Sequence, residues 1–247
     1  MEAVLYVGHG SRSETSRQQA RQLFAACREM VNIPIQELCF LELAAPSIFA
    51  GISQCAARGA SKIAVVPLLL LPAKHAKSDI PRELAKGKKA FPRIDLVRGE
   101  PFGQHPLMLE MLAALVKTKI AGIAGQSGCT VLLTGRGSSD EEALFALRRI
   151  RGELEVRAGV RVDLCHLAVN RPSFREYLLK FPFSRQRLIV LPFLLFAGQL
   201  LESMRKTAAE LNIPEERMVI CDPVASLPQF PAFFSSLVRE VLDRFSA

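Results

Sequence analysis

Lys62-Ile-Ala-Val-Val-Pro-Leu-Leu-Leu-Leu71 returns later in the chain as Arg187-Leu-Ile-Val-Leu-Pro-Phe-Leu-Leu-Phe196. Both runs are apolar and rich in β-branched residues, the pattern of a strand buried inside a parallel sheet. Strand and helix signals alternate on either side. Short strands are predicted at Val4–Val7, Ile35–Leu41 and Asp95–Val97, with helices over Glu14–Met30, Pro46–Arg58, Asp79–Lys89 and Pro106–Lys117. Ala121-Gly-Ile-Ala-Gly-Gln-Ser-Gly128 then reads as a small-residue linker. Beyond it the pattern restarts. Strands are predicted at Thr130–Thr134, Val162–Ala168 and Met218–Cys221 around the second apolar run, and helices over Ser139–Arg157, Pro172–Lys180, Leu200–Leu211 and Gln229–Phe245.

Two more motif pairs recur in the same order and at nearly the same spacing. Val7-Gly-His-Gly-Ser-Arg12 matches Thr134-Gly-Arg-Gly-Ser-Ser139, and Leu41-Glu-Leu-Ala-Ala-Pro-Ser47 matches Leu167-Ala-Val-Asn-Arg-Pro-Ser173. The chain is therefore a duplicated β/α unit. The expected domains are residues 1–120 and 128–247, each a small parallel sheet flanked by helices.

Composition narrows the function classes. Hydrophobic residues make up 49% of the 247 and charged ones 23%, so a well-cored globular protein is expected. The formal net charge of +8 favours an acidic partner. Nucleic acid fits poorly: with 2 Tyr and no Trp there is little to stack on bases, and no nucleic-acid motif is present. No apolar run has membrane-spanning length and the N-terminus enters a strand directly, so a soluble cytoplasmic protein is expected. The six cysteines form no CxxC pair and lie mostly in apolar stretches, as reduced, buried thiols would.

In open parallel sheets ligands sit beyond the carboxyl ends of the strands. The first half places His9, Glu42 and His75 there; the second places Arg136, Ala168 and Leu200. The loss of all three polar groups from a conserved scaffold points to a single active centre. Two imidazoles and a carboxylate suit a borderline divalent metal, and also proton abstraction near neutral pH. A Gly-His-Gly-Ser turn equally suits phosphate, with Ser11 and Ser138 serving either role. His105 is expected to cap a helix, and His166 to pack within a strand or lie exposed rather than to act in catalysis.

At these motifs the sequence closely resembles the class II, ATP-independent sirohydrochlorin chelatases, in particular the two-domain ferrochelatase branch of siroheme synthesis. The resemblance runs essentially end to end. It is carried by Leu5-Tyr-Val-Gly-His-Gly-Ser-Arg12, Phe40-Leu-Glu-Leu43, Ala64-Val-Val-Pro-Leu-Leu-Leu-Leu71 with His75-Ala-Lys-Ser-Asp-Ile-Pro81, and Gly135-Arg-Gly-Ser-Ser-Asp140. It implies two tandem flavodoxin-like, chelatase-type α/β halves with a cleft between them. It implies metal binding by His9, Glu42 and His75, with pyrrole-proton removal by His9 or Glu42, and contact of Leu70, Leu71, Pro72, Ala73, Lys74 and His75 with the macrocycle.

No cofactor is implied beyond the metal substrate, Fe2+, with Co2+ for cobalamin synthesis or Ni2+ as alternatives. The partner is sirohydrochlorin, a polycarboxylated ring, and a monomer suffices. Ser11, Arg12, Lys74, Lys77, Arg82 and Arg136 are candidate polar or basic contacts at its rim, which implies salt-sensitive binding. A non-catalytic tetrapyrrole or metal carrier is the alternative of a different class.

Overall fold

The computed structural model describes residues 1–73, 75–122 and 128–246, with backbone alone for His75. The predicted contact Lys74 and most of the predicted linker fall outside these. The first half runs β1 (Glu2–Gly8), α1 (Glu14–Met30), β2 (Ile35–Phe40), α2 (Ile48–Ala57), β3 (Lys62–Pro67), a π-helical turn (His75–Asp79), α3 (Ile80–Ala90), β4 (Asp95–Arg98) and α4 (Pro106–Ala121). The second runs β5 (Cys129–Gly135), α5 (Glu141–Ala158), β6 (Val162–His166), α6 (Phe174–Lys180), β7 (Arg187–Pro192), α7 (Gln199–Glu210), β8 (Met218–Ile220) and α8 (Phe230–Asp243).

The strands form two parallel four-stranded sheets, ordered β2-β1-β3-β4 and β6-β5-β7-β8. In each, the strand order reverses direction between the first and third strands, which is where doubly wound sheets open a crevice at their carboxyl ends. The first core is built from Leu5, Val7, Cys39, Ile52, Ile63, Val65 and Ile80, among others. The second centres on Leu132, Cys165, Leu188, Val190, Leu201 and Met204. All six cysteines are free thiols, and all but the half-buried Cys129 are buried. Burial pushes the thiols of Cys55 and Cys165 up to about 12 and that of Cys221 to about 11.

Several boundaries differ from the sequence reading, two pairs of them at matching places in the repeats. The long apolar runs leave the sheet at Pro67 and Pro192, so the leucines that follow belong to loops. Pro46 and Pro172 do not open helices. Each follows a cis peptide bond, and the next serine, Ser47 or Ser173, is the N-cap, its hydroxyl accepting from the backbone N–H three residues on.

The compact units do not follow the expected division into 1–120 and 128–247. The compact units are Met1–Phe102 with Pro228–Ala247, and Gly103–Leu227. The last helix thus completes the first sheet. Phe234 of α8 lies 5.4 Å from Phe102 and 6.2 Å from Tyr6 between ring centroids, and Phe230 and Phe233 pack on Phe102 as well. Arg239 donates to the Met30 carbonyl at 2.6 Å. Helix α4 packs instead against α5 of the second unit, where Arg157 reaches Glu110 at 4.0 Å. Periodicity specifies that α4 and α8 each bury a face; it does not say against which sheet. Among the described residues no helix is long and apolar enough to cross a membrane.

Candidate functional site

Pairing of β1 with β2 continues past the strand ends. Leu41 N–H donates to the Gly8 carbonyl at 2.9 Å and Glu42 N–H to the His9 carbonyl at 3.1 Å. This stitches the two loops side by side and places His9 Nδ1 3.6 Å from Glu42 Oε1. Both side chains are part-exposed, 32% for His9 and 49% for Glu42. Close approach demands Gly10. Its φ is +91°, and a Cβ there would stand 1.7 Å from the Glu42 carbonyl oxygen. Leu43 follows with φ 59° and its side chain half exposed, a conformation costing a leucine about 1 kcal/mol.

The remaining expected residues divide by location. His75 begins the π-helical turn after β3, the strand beside β1, so its backbone lies at the same end of the sheet. Such single π-helical turns are rare and cluster at functional sites. Leu70 to Ala73 are half-buried in the loop leading to it. Among the described residues no group of three or more His, Cys, Asp or Glu forms a metal cage, and the His75 side chain is not among them.

Ser11 uses its hydroxyl locally, accepting from Ser13 N–H at 3.1 Å. Arg12 is exposed. Arg82 is 3.2 Å from Asp79, so part of its charge is already met within the chain. Sequence reasoning missed Arg17. Its guanidinium donates to the Ser11 carbonyl at 2.8 Å while pairing with Glu14, and so fastens the His9 loop to the first turn of α1. The Arg at the fourth position of an N-capped helix was the available signal.

The second unit repeats the scaffold without the histidine–carboxylate pair. Leu167 and Ala168 N–H groups donate to the Gly135 and Arg136 carbonyls at 2.9 and 3.0 Å, and a Cβ on Gly137 would lie 1.9 Å from the Val169 carbonyl oxygen. Ladder bonding thus matches Glu42 with Ala168. The left-handed residue has moved one place, from Leu43 to Asn170, which matches Glu42 with Val169; neither counterpart has a carboxylate. Asn170 Oδ1 accepts from Ser138 N–H at 2.9 Å. Arg136 stands exposed in the place of His9. The segment carrying Leu200 is ordinary α-helix, with no π turn. His105 caps α4, its Nδ1 accepting from Leu107 N–H at 3.3 Å. His166 takes the place of Phe40; it is 7% exposed, and burial, then the charge of Arg148, lowers its pKa.

The pattern of the CbiX family matches residues 3–119 and 130–241, covering both repeats. The chain belongs to the CbiX family. Among curated members, it is 37% identical to the sirohydrochlorin ferrochelatase of Priestia megaterium over 90% of this chain and 84% of that one. It is 29% identical to a sirohydrochlorin cobaltochelatase of the same organism over 88% and 72%. Of solved family members, SirB from Bacillus subtilis with Fe3+ superposes with a TM-score of 0.85 at 30% identity, covering 99% of this chain and 97% of that one. SirB of Bacillus subtilis subspecies spizizenii in complex with cobalt gives 0.82 at 33%, covering 98% and 96%.

Proposed function

We propose that this chain is a sirohydrochlorin ferrochelatase: sirohydrochlorin plus Fe2+ gives siroheme plus two protons. The observation that carries this reading is the His9–Glu42 pair, 3.6 Å apart at the end of the β1–β2 ladder beside the strand that leads to His75, in one repeat only. Its CbiX-family relatives named as ferrochelatases support the choice of reaction.

His9, Glu42 and His75 are assigned as ligands of the incoming metal. Three ligands leave coordination positions free for water and then for ring nitrogens, so the metal is held and then surrendered. Each pyrrole N–H loses its proton as a metal–nitrogen bond forms, and an imidazole beside a carboxylate is suited to accept it. Leu70 to His75 are assigned as contacts of the ring, and Ser11 and Arg12 as polar contacts at its edge. Arg136, exposed at the end of β5, is assigned the same kind of carboxylate partner. One chain supplies all three proposed ligands, so a monomer suffices.

The test is anaerobic single-turnover absorbance with sirohydrochlorin and Fe2+. Metallation at a catalysed rate is expected for the wild type. Tight binding with no acceleration over the protein-free reaction would instead identify a carrier. Competition between Fe2+ and Co2+, scored by product, decides the metal; solved family members hold Fe3+ and cobalt.

A further inference from the structure

The π-helical turn His75–Asp79 runs directly into α3, whose second residue is Pro81. In a π-helix each carbonyl accepts from the N–H five residues on. Five residues beyond Ala76 stands Pro81, which has no N–H. The Ala76 carbonyl therefore lacks its π-helical donor. Ala76 is 4% exposed, so water is a poor substitute.

Arg98, the last residue of β4, fills the vacancy. Its Nη1 donates to the Ala76 carbonyl at 2.6 Å. Its Nη2 donates to Glu100 Oε1 at 2.9 Å, and its own carbonyl accepts from Arg244 Nη1, just past α8, at 3.1 Å. The guanidinium is thus held at both ends of a short bridge from the sheet edge to the turn. The other repeat provides an internal control. There the turn is α-helical, Lys206 stands six residues on from Leu200 as Pro81 does from His75, and Ile220 occupies the register position of Arg98 beside its neighbouring strand. Among the described residues the π turn, the proline and the arginine occur together only in the repeat that has His75.

We propose that Arg98 is a positioning residue for the metal centre: it supplies the donor that Pro81 withholds and so fixes the backbone turn that carries His75. This rests on the reading of His75 as a metal ligand. Arg98→Met keeps length and packing while removing the donors. It is expected to weaken Co2+ binding to the substrate-free protein about tenfold, the loss typical when a group supporting a metal ligand is removed. It should also change the visible Co2+ band and leave the KM for sirohydrochlorin within about twofold. Arg98→Lys should recover part of the affinity. Pro81→Ala in the Arg98→Met background returns a backbone N–H to position 81 and should recover it as well.

Wild-type Co2+ affinity and band in Arg98→Met overturn the proposal, as does a stability loss with an unchanged band or a double variant that recovers nothing. His75→Ala separates the two readings. If it abolishes the Co2+ band while Arg98→Met is silent, only the Arg98 role fails. If His75→Ala is itself silent, the ligand assignment fails and takes the Arg98 role with it.

Discussion

Gly10 and Glu42 meet backbone to backbone: the space a Cβ on Gly10 would need is already filled by the Glu42 carbonyl oxygen, 1.7 Å away. The clash cannot be relieved by turning a side chain. Gly10→Ala must move the Glu42 strand end or the His9 loop, and its φ of +91° adds further strain. The expected result is a loss of at least about tenfold in metal-insertion rate with about 2 kcal/mol or more of stability, read by initial rates and by denaturant unfolding. Full activity in Gly10→Ala would show that the His9–Glu42 spacing is immaterial.

His9→Ala and Glu42→Gln remove one proposed ligand each and leave the surrounding turns intact. Each should raise the KM for Fe2+ and lower kcat, with the KM for sirohydrochlorin little changed. A drop of about 100-fold or more in kcat/KM for the metal is expected for His9→Ala, corresponding to about 2.7 kcal/mol. If only the macrocycle KM moved, these residues would be ring contacts and not metal ligands.

Arg12 is exposed beside the His9 loop and has no assigned place in the core. Arg12→Ala should weaken sirohydrochlorin binding by a factor of a few at low ionic strength, and the difference from wild type should shrink as salt is raised. Titrations across a salt series check this. A salt-independent difference argues against a charge contact.

Phe234 is fully buried in α8 against Phe102 and Tyr6. Phe234→Ala is expected to destabilise by about 3–5 kcal/mol. The loss should appear as faster amide exchange in β1 and β3, with β5 and β7 less affected. Exchange accelerated mainly in β5 and β7 would contradict the assignment of α8 to the first unit.

His166 is held with a lowered pKa by burial and by Arg148. The unfolded chain therefore binds a proton more readily than the folded one, so this residue costs stability as pH falls through its unfolded value near 6.5 and towards the lower folded one. Thermal midpoints should drop between about pH 7 and 5, and His166→Phe, the residue used at Phe40, should flatten that slope. An unchanged slope in the variant would assign the acid sensitivity elsewhere.

The sheets, their helices and the loops of the candidate site were legible because the repeat showed itself twice. Strand-end reasoning brought His9 and Glu42 together although 33 positions of sequence local to neither explain it. Three things were not legible. Helix α4 carries Met108, Leu109, Leu112 and Val116 buried, a pattern that would suit either sheet, so its partner in the second unit had to be seen. The π turn at His75 has no sequence period of its own. Arg17 and Arg98 act through backbone carbonyls, Ser11 and Ala76, whose need for a donor appears only once the loops are built.

Because α8 completes the first unit, the second unit is an insertion within the first. During synthesis the sheet bearing His9 and Glu42 leaves the ribosome early, yet the phenylalanines that cover its bare face are made only after the whole second unit. Gly103–Leu227 emerges whole and is free to fold while that face is still uncovered. Until α8 has been made, the first sheet presents an unshielded apolar face.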